Sequence, residues 1–151
     1  WISLTSMSID YDNPWIYNGK AFESSDIGDH FGFVYCIACN ETQREYIGRK
    51  YFWKFRTPKG KKRKVKSESD WKNYYGSCPE LKEDIERMGR QNFSRTILSV
   101  HKTSGKTNFE ETRQLFVNGV LTETLDSGVP RYYNGNILNR YFRKDYYEGD
   151  G

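Results

Sequence analysis

Tyr35 and Tyr46 are the first residues in this sequence with a spacing that suggests chemistry. They stand eleven positions apart, one in each of two strand-like segments joined by a polar stretch. A hairpin of that kind sets two phenols side by side on one sheet face, because side chains alternate across a strand. Arg56 follows Tyr46 by ten positions, close enough for the next element to swing a guanidinium over them. A second chemical signal is the run KGKKRKVK from Lys59 to Lys66. Such a run neutralises phosphates and releases their counterions. Glu110 and Glu111 form an acidic pair in an otherwise basic and neutral stretch, and Asn134 and Asn136 sit in a late turn-like segment, YYNGNI. The C-x-x-C of Cys36 and Cys39 is weaker, because positions three apart on a strand face opposite ways. His30 and His101 have no ligand-like spacing, so a zinc site is not expected and the thiols read as buried or half-buried.

The elements that must position these groups can be read from periodicity and turn chemistry. FGFVYCIA, from Phe31 to Ala38, is an apolar, β-branched run of strand length, and Asn40–Arg44 is a polar turn into a second strand at Glu45–Gly48. RKYFWKFR then leads to Pro58, which predicts a short helix ending there. Ser77-Cys78-Pro79-Glu80 carries the marks of a helix start with Ser77 as N-cap, and Leu81, Ile85 and Met88 share one helical face before Gly89 stops it. Phe93–Val100 predicts a third strand. Thr107-Asn108-Phe109-Glu110 reads as a second capping box, opening a helix with Phe109, Leu115, Phe116 and Val120 as its apolar positions. The expected fold is α+β, a small antiparallel or mixed three-stranded sheet flanked by helices. It divides into an N-terminal arm (residues 1–30) packing through Trp15, Ile16 and Phe22, a domain (31–137) and a tail (138–151). Met7 begins a natural-looking start, and Trp1–Ser6 stay outside the fold argument.

Composition bounds the class. At 151 residues one domain is expected, and with 17% aromatic residues the core must be built from Phe, Tyr and Trp. Three cysteines, an odd count, argue against a disulfide scaffold and for a reducing, cytoplasmic setting. No apolar run is long enough for a bilayer, so no membrane partner is expected.

Phe33-Val34-Tyr35, Tyr46-Ile47-Gly48, Arg56 and Tyr75-Gly76-Ser77 before a capped helix, in that order, resemble the GIY-YIG nuclease family, in its phage-encoded branch related to homing endonucleases. The resemblance runs from about Gly32 to Asn136 and implies a DNA endonuclease that uses Mg²⁺ or Mn²⁺. It implies that Tyr35 acts as, or assists, the general base, that Tyr46 positions water or phosphate, that Arg56 clamps the scissile phosphate and that Asn134, or else Asn136, holds the site geometry. It places the metal ligand among Glu110 and Glu111. With Glu110 engaged in a capping box, Glu111 is the expected ligand. Phe33 replaces the first glycine of the family's triplet, and the histidine that many relatives carry after the arginine is absent, leaving Lys50 or Lys54, with Arg49, to supply charge. Arg49, Lys50, Lys54, Lys61, Lys62, Arg63 and Lys64 are the expected DNA contacts, with Trp53, Trp71, Tyr74, Arg140, Arg143 and Lys144 as further candidates. Specificity would be built into the domain or supplied by a partner protein or a homodimer. Phage homing, phage DNA processing, structure-specific repair and non-catalytic DNA binding are the roles such a fold could serve.

Overall fold

The computed structural model describes residues 10–147, so the start at Met7 and the last acidic residues of the tail lie outside the described residues. Strands β3 (Gly32–Cys39) and β4 (Glu45–Tyr51) form the expected hairpin, with Tyr35 opposite Gly48 and Ile37 opposite Tyr46. Its turn closes by Cys39 N–H donating to the Arg44 carbonyl at 2.8 Å. β7 (Phe93–His101) pairs antiparallel on the other side of β3. β3 is therefore a central strand covered on both faces, which is why its sequence is a continuous apolar run and not an alternating one.

The sheet has five strands, two more than the sequence suggested. The arm contributes β1 (Ile16–Tyr17) and β2 (Lys20–Ala21), giving the order β2-β1-β7-β3-β4, with Ile16 paired parallel to Thr96. Two-residue strands are too short to leave a periodic signature. Trp15 and Phe22 are buried as expected, whereas Ile16 is half open, because its backbone makes the contact. Arg95 of β7, also buried, fastens the arm. Its guanidinium donates to the carbonyls of Asn13 (2.6 Å) and Tyr74 (2.8 Å) and lies between the Trp15 and Tyr75 rings.

One sheet face carries Phe33, Tyr35, Ile37 and Phe93 against Trp15, Phe52, Trp71 and Leu81. Edge-on aromatic pairs dominate there, such as Phe52 with Trp71 at 5.4 Å. Trp71 is thus core and not part of a binding surface. Helix α1 (Pro79–Met88) covers this side through Leu81 and stops at Gly89, whose φ of 94° needs a residue without Cβ. Its N-cap is Cys78 and not Ser77, and Glu80 reaches Arg44 at 2.8 Å instead of closing a capping box.

The other face carries Val34 and Ile47 against Leu115 of α2 (Ser104–Val117) and against Val120, Leu121, Tyr132 and Ile137. α2 starts a turn earlier than expected. Thr103 caps it by accepting from the Lys106 N–H, and Thr107 lies inside, its hydroxyl donating to the Thr103 carbonyl. The stripe facing the sheet is Thr107, Glu111 and Leu115, polar for two of its three members, so hydrophobic periodicity misled: Phe109 and Phe116 are exposed.

The helix expected before Pro58 is instead a strand, β5 (Trp53–Arg56), paired with β6 (Val65–Glu68) in a separate two-stranded ribbon. WKFR alternates aromatic and basic residues with period two, the pattern of a strand with one face packed and one wet. Phe55 stacks on Phe31, ring centroids 6.3 Å apart, and the Trp53 indole donates to the His30 carbonyl. A last two-stranded piece, β8 (Asn136–Ile137) with β9 (Tyr141–Phe142), leads into α3 (Arg143–Tyr146). No helix among the described residues is long and apolar enough to cross a membrane.

Candidate active site

A cleft of about 660 Å³ opens along the outer edge of β4, between α1, α2 and the loop after Tyr132. Tyr46, Arg49, Glu111, Asn134 and Arg143 all line it. Each reaches it for a local reason. Glu111 sits one turn from Thr107 and one from Leu115, both buried, so the geometry of the helix turns its carboxylate toward the sheet. Glu110, one position earlier, faces away and is held by Arg113 (2.7 Å) and Gln114 (2.8 Å), which lower its pKa to about 2. Helix phase, and not a capping box, is thus what turns Glu111 and not Glu110 into the cleft.

Glu111 has one ionic neighbour, Arg49, at 3.5 Å. Burial raises its carboxyl above the ordinary value, and Arg49 offsets this only partly. This carboxylate is short of positive charge in a site with room for more.

The two tyrosines lie with ring centroids 6.2 Å apart, as the hairpin register requires. Their surroundings differ. Tyr35 is almost wholly buried, packed against Trp15, Phe33 and Tyr74, and burial drives its pKa well above that of a free phenol. Tyr46 lines the cleft, with its hydroxyl 3.4 Å from Ser77 Oγ. Its pKa is also raised by burial, with Ser77 lowering it in part. Gly48 explains itself here. A Cβ on it would lie 2.5 Å from the Tyr35 hydroxyl and 3.1 Å from the Tyr46 ring, so only glycine lets the phenol cross the neighbouring strand. Gly48→Ala is expected to cost about 1–3 kcal/mol through overpacking, read as a lower urea midpoint. A midpoint equal to the wild type would show that Tyr35 has room to move.

Asn134 is buried and pins the edge of β4. Its side-chain amide accepts from the Ile47 N–H at 3.1 Å and donates to the Ile47 carbonyl at 2.8 Å, copying the bond pair of a further strand. Arg143 in turn donates to the carbonyls of Tyr132 and Asn134. Asn136, the alternative, is exposed and accepts from the Asn139 N–H.

The structure does not bring Arg56 into this cleft. It lies exposed on β5, beyond the buried Phe52, because the segment after β4 is a strand that carries it out along the ribbon. The arginine beside the glutamate is Arg49, expected as a DNA contact and as one candidate for the charge that the family's histidine would supply. Lys50 is bound to Asp70 at 2.7 Å and lies over the Tyr74 ring, while Lys54, Lys61, Lys62, Arg63 and Lys64 are exposed on the ribbon. Lys50 and Arg49 therefore differ from the expected DNA contacts on the ribbon in being held in ion pairs. Ser77, read as a helix cap and as part of the Tyr75-Gly76-Ser77 motif, and Arg143, read as a DNA-contact candidate in the tail, also line the cleft.

A second cavity, about 290 Å³, lies between Phe116, Leu121, Ile137 and Tyr141. It is apolar, without acid, base or cation, and offers no comparable chemistry. The three thiols are engaged in packing: Cys36 against Glu45, Cys39 against Met88 and Cys78 against the Tyr133 carbonyl. Among the described residues no three His, Cys, Asp or Glu side chains converge as a metal cluster.

No curated protein and no solved structure matches the chain. A protein family does: residues 15–137 match the family described as "Putative endonuclease segE, GIY-YIG domain". The match begins at Trp15, taking in the arm's β1, and runs through Asn134 to the end of β8. With that span, the tyrosine hairpin and the edge cleft, the chain belongs to the SegE-type GIY-YIG nuclease family.

Proposed function

We propose that the chain is a divalent-metal-dependent DNA endonuclease whose working groups are Glu111, Arg49 and Tyr46, held by Asn134 and Tyr35. The observation that carries this reading is the meeting of a charge-deficient carboxylate, a guanidinium and a phenol in one open cleft. A single carboxylate suits Mg²⁺ or Mn²⁺, hard ions of which Mg²⁺ commonly keeps several waters and adds substrate phosphate oxygens. Glu111 would hold the ion, and the ion would supply Lewis-acid charge at the phosphoryl group.

The chain's own groups do the remaining work. Arg49 offers a planar fork of donors to the phosphoryl oxygens, where negative charge grows as the water oxygen bonds to phosphorus and an ester oxygen departs. Tyr46, the phenol that faces the cleft, orients the attacking water and would take its proton as a phenolate, a form that burial disfavours and that added positive charge in the cleft would favour. Tyr35, out of contact with the cleft, supports the Tyr46 ring from behind and does not meet water itself. Asn134 prevents β4 from shifting and so keeps Tyr46 and Arg49 in register. The family match supports a phage-associated nuclease, and within that class a part in phage homing or phage DNA processing is the role proposed.

Supercoiled plasmid is the test substrate. Relaxation to open circle with Mg²⁺ or Mn²⁺, and none with EDTA, is the expected result. Cleavage that persists in EDTA would remove the metal from the reading. Failure to cut supercoiled, duplex, branched and single-stranded DNA with either ion would leave a DNA-binding module.

A further inference from the structure

The β5–β6 ribbon is rooted next to the cleft and built unlike the rest of the surface. β4 passes from Tyr46 and Arg49 to Tyr51, and the chain then turns at Phe52 into the ribbon and returns at Ser69. The root is rigid: Phe52 and Trp71 are fully buried against one another, and Ser69 donates to the carbonyls of both Phe52 and Tyr51. Between positions 54 and 66 lie eight of the chain's 24 Lys and Arg residues and no acid, so the other positions hold sixteen bases against 20 acids. The ribbon therefore carries the whole positive excess of the molecule.

Ion pairing separates the two groups further. Eight of the sixteen bases elsewhere are in salt bridges, while none of the eight on the ribbon is in one among the described residues. Cross-strand pairing puts Trp53, Phe55 and Lys66 on the face toward Phe31, and leaves Lys54, Arg56 and Val65 on the open face. Val65 is 48% exposed, an apolar residue kept in water at the centre of a basic face. Eight cations without a salt bridge, of which Lys66 lies over the Trp53 ring, on a two-stranded finger with a fixed root call for a polyanion and a slot. Two strands about 4.8 Å apart form a ribbon that fits a major groove about 12 Å wide and 8.5 Å deep.

We infer that the β5–β6 ribbon is the duplex-DNA docking element of this nuclease and lies in the major groove next to the cut site. The tip residues Lys61, Lys62, Arg63 and Lys64 grip phosphates on the groove walls, and Lys54, Arg56 and Val65 face the base edges. This rests on the nuclease reading above, in that it takes duplex DNA as the substrate.

Binding of the whole chain to a fluorescent 30-base-pair duplex, measured by anisotropy in EDTA across salt concentrations, tests it apart from cleavage. The fourfold variant K61Q/K62Q/R63Q/K64Q, altered only in exposed loop, should keep the wild-type Tm. It should lose on the order of 100-fold in affinity, with a salt slope shallower by about 3 to 4. Glu111→Gln should bind no more weakly than wild type. Methyl green, a major-groove ligand, should displace the protein where netropsin, a minor-groove ligand, does not. Duplex RNA of the same sequence should bind less well, since its major groove admits no ribbon. An unchanged affinity and slope in the fourfold variant would overturn the ribbon while leaving the nuclease intact. Displacement by netropsin alone, or equal binding of duplex RNA, would overturn the groove assignment. Loss of cleavage without loss of ribbon-dependent binding would overturn only the reaction.

Discussion

Replacing Glu111 with glutamine should lower the single-turnover cleavage rate by three orders of magnitude or more, about 4 kcal/mol in the barrier, and should make the metal-free protein more stable. Both effects have one cause. Burial raises the Glu111 carboxyl above its ordinary value of 4.5, and Arg49 alone does not restore it. A carboxyl whose folded pKa is raised contributes stability that is fully present below the unfolded value and is lost as pH rises through the folded value. At neutral pH the metal-free wild type therefore carries a carboxylate that the fold disfavours, and the neutral amide relieves it. The Tm of Glu111→Gln in EDTA should exceed that of wild type at neutral pH, with the gap closing as pH falls through the raised folded value and gone below the ordinary value of 4.5. Mg²⁺ should then raise the wild-type Tm and leave the variant's unchanged, because binding to the native state stabilises only where a ligand exists. A variant that cuts at the wild-type rate, or equal Mg²⁺ stabilisation of both proteins, would remove Glu111 from the metal site.

Arg49→Ala and Arg56→Ala should fail in different ways. Arg49 lines the cleft beside Glu111, and its loss removes donors from the position where phosphoryl charge develops. A fall of about 10²–10³-fold in the rate at saturating DNA is expected. Lysine should restore little of it, since a point charge does not reproduce a planar fork. Arg56 stands on the open face of the ribbon, so its loss should weaken binding, flatten the salt slope by about one, and be overcome by raising the DNA concentration. The reverse pattern, a rate defect in Arg56→Ala and an affinity defect in Arg49→Ala, would show that the ribbon folds down over the cleft when DNA is bound.

The local sequence determined the parts. Alternating and apolar runs specified the hairpin and β7, Pro79 and Gly89 bounded α1, and the order of Tyr35, Tyr46 and Gly48 pointed to the family that residues 15–137 match. These features depend on backbone propensity and near-neighbour spacing, which a linear reading captures. WKFR was legible in principle as a strand, but Pro58 drew attention to a helix end, and the partner that decides the matter, Val65–Glu68, lies across an eight-residue basic tip. Which groups share the cleft was a tertiary decision. Glu111 faces the sheet because Thr107 and Leu115 are buried on either side of it, and Thr107 carries no hydrophobic signal. Arg49 takes the place expected of Arg56 because the chain leaves β4 as an extended ribbon and not as a returning helix. Asn134, and not Asn136, braces the site because its amide meets a strand edge 87 positions away in the chain. Such contacts join segments with no local correlation, so only the packed sheet edge brings phenol, guanidinium and carboxylate into one place.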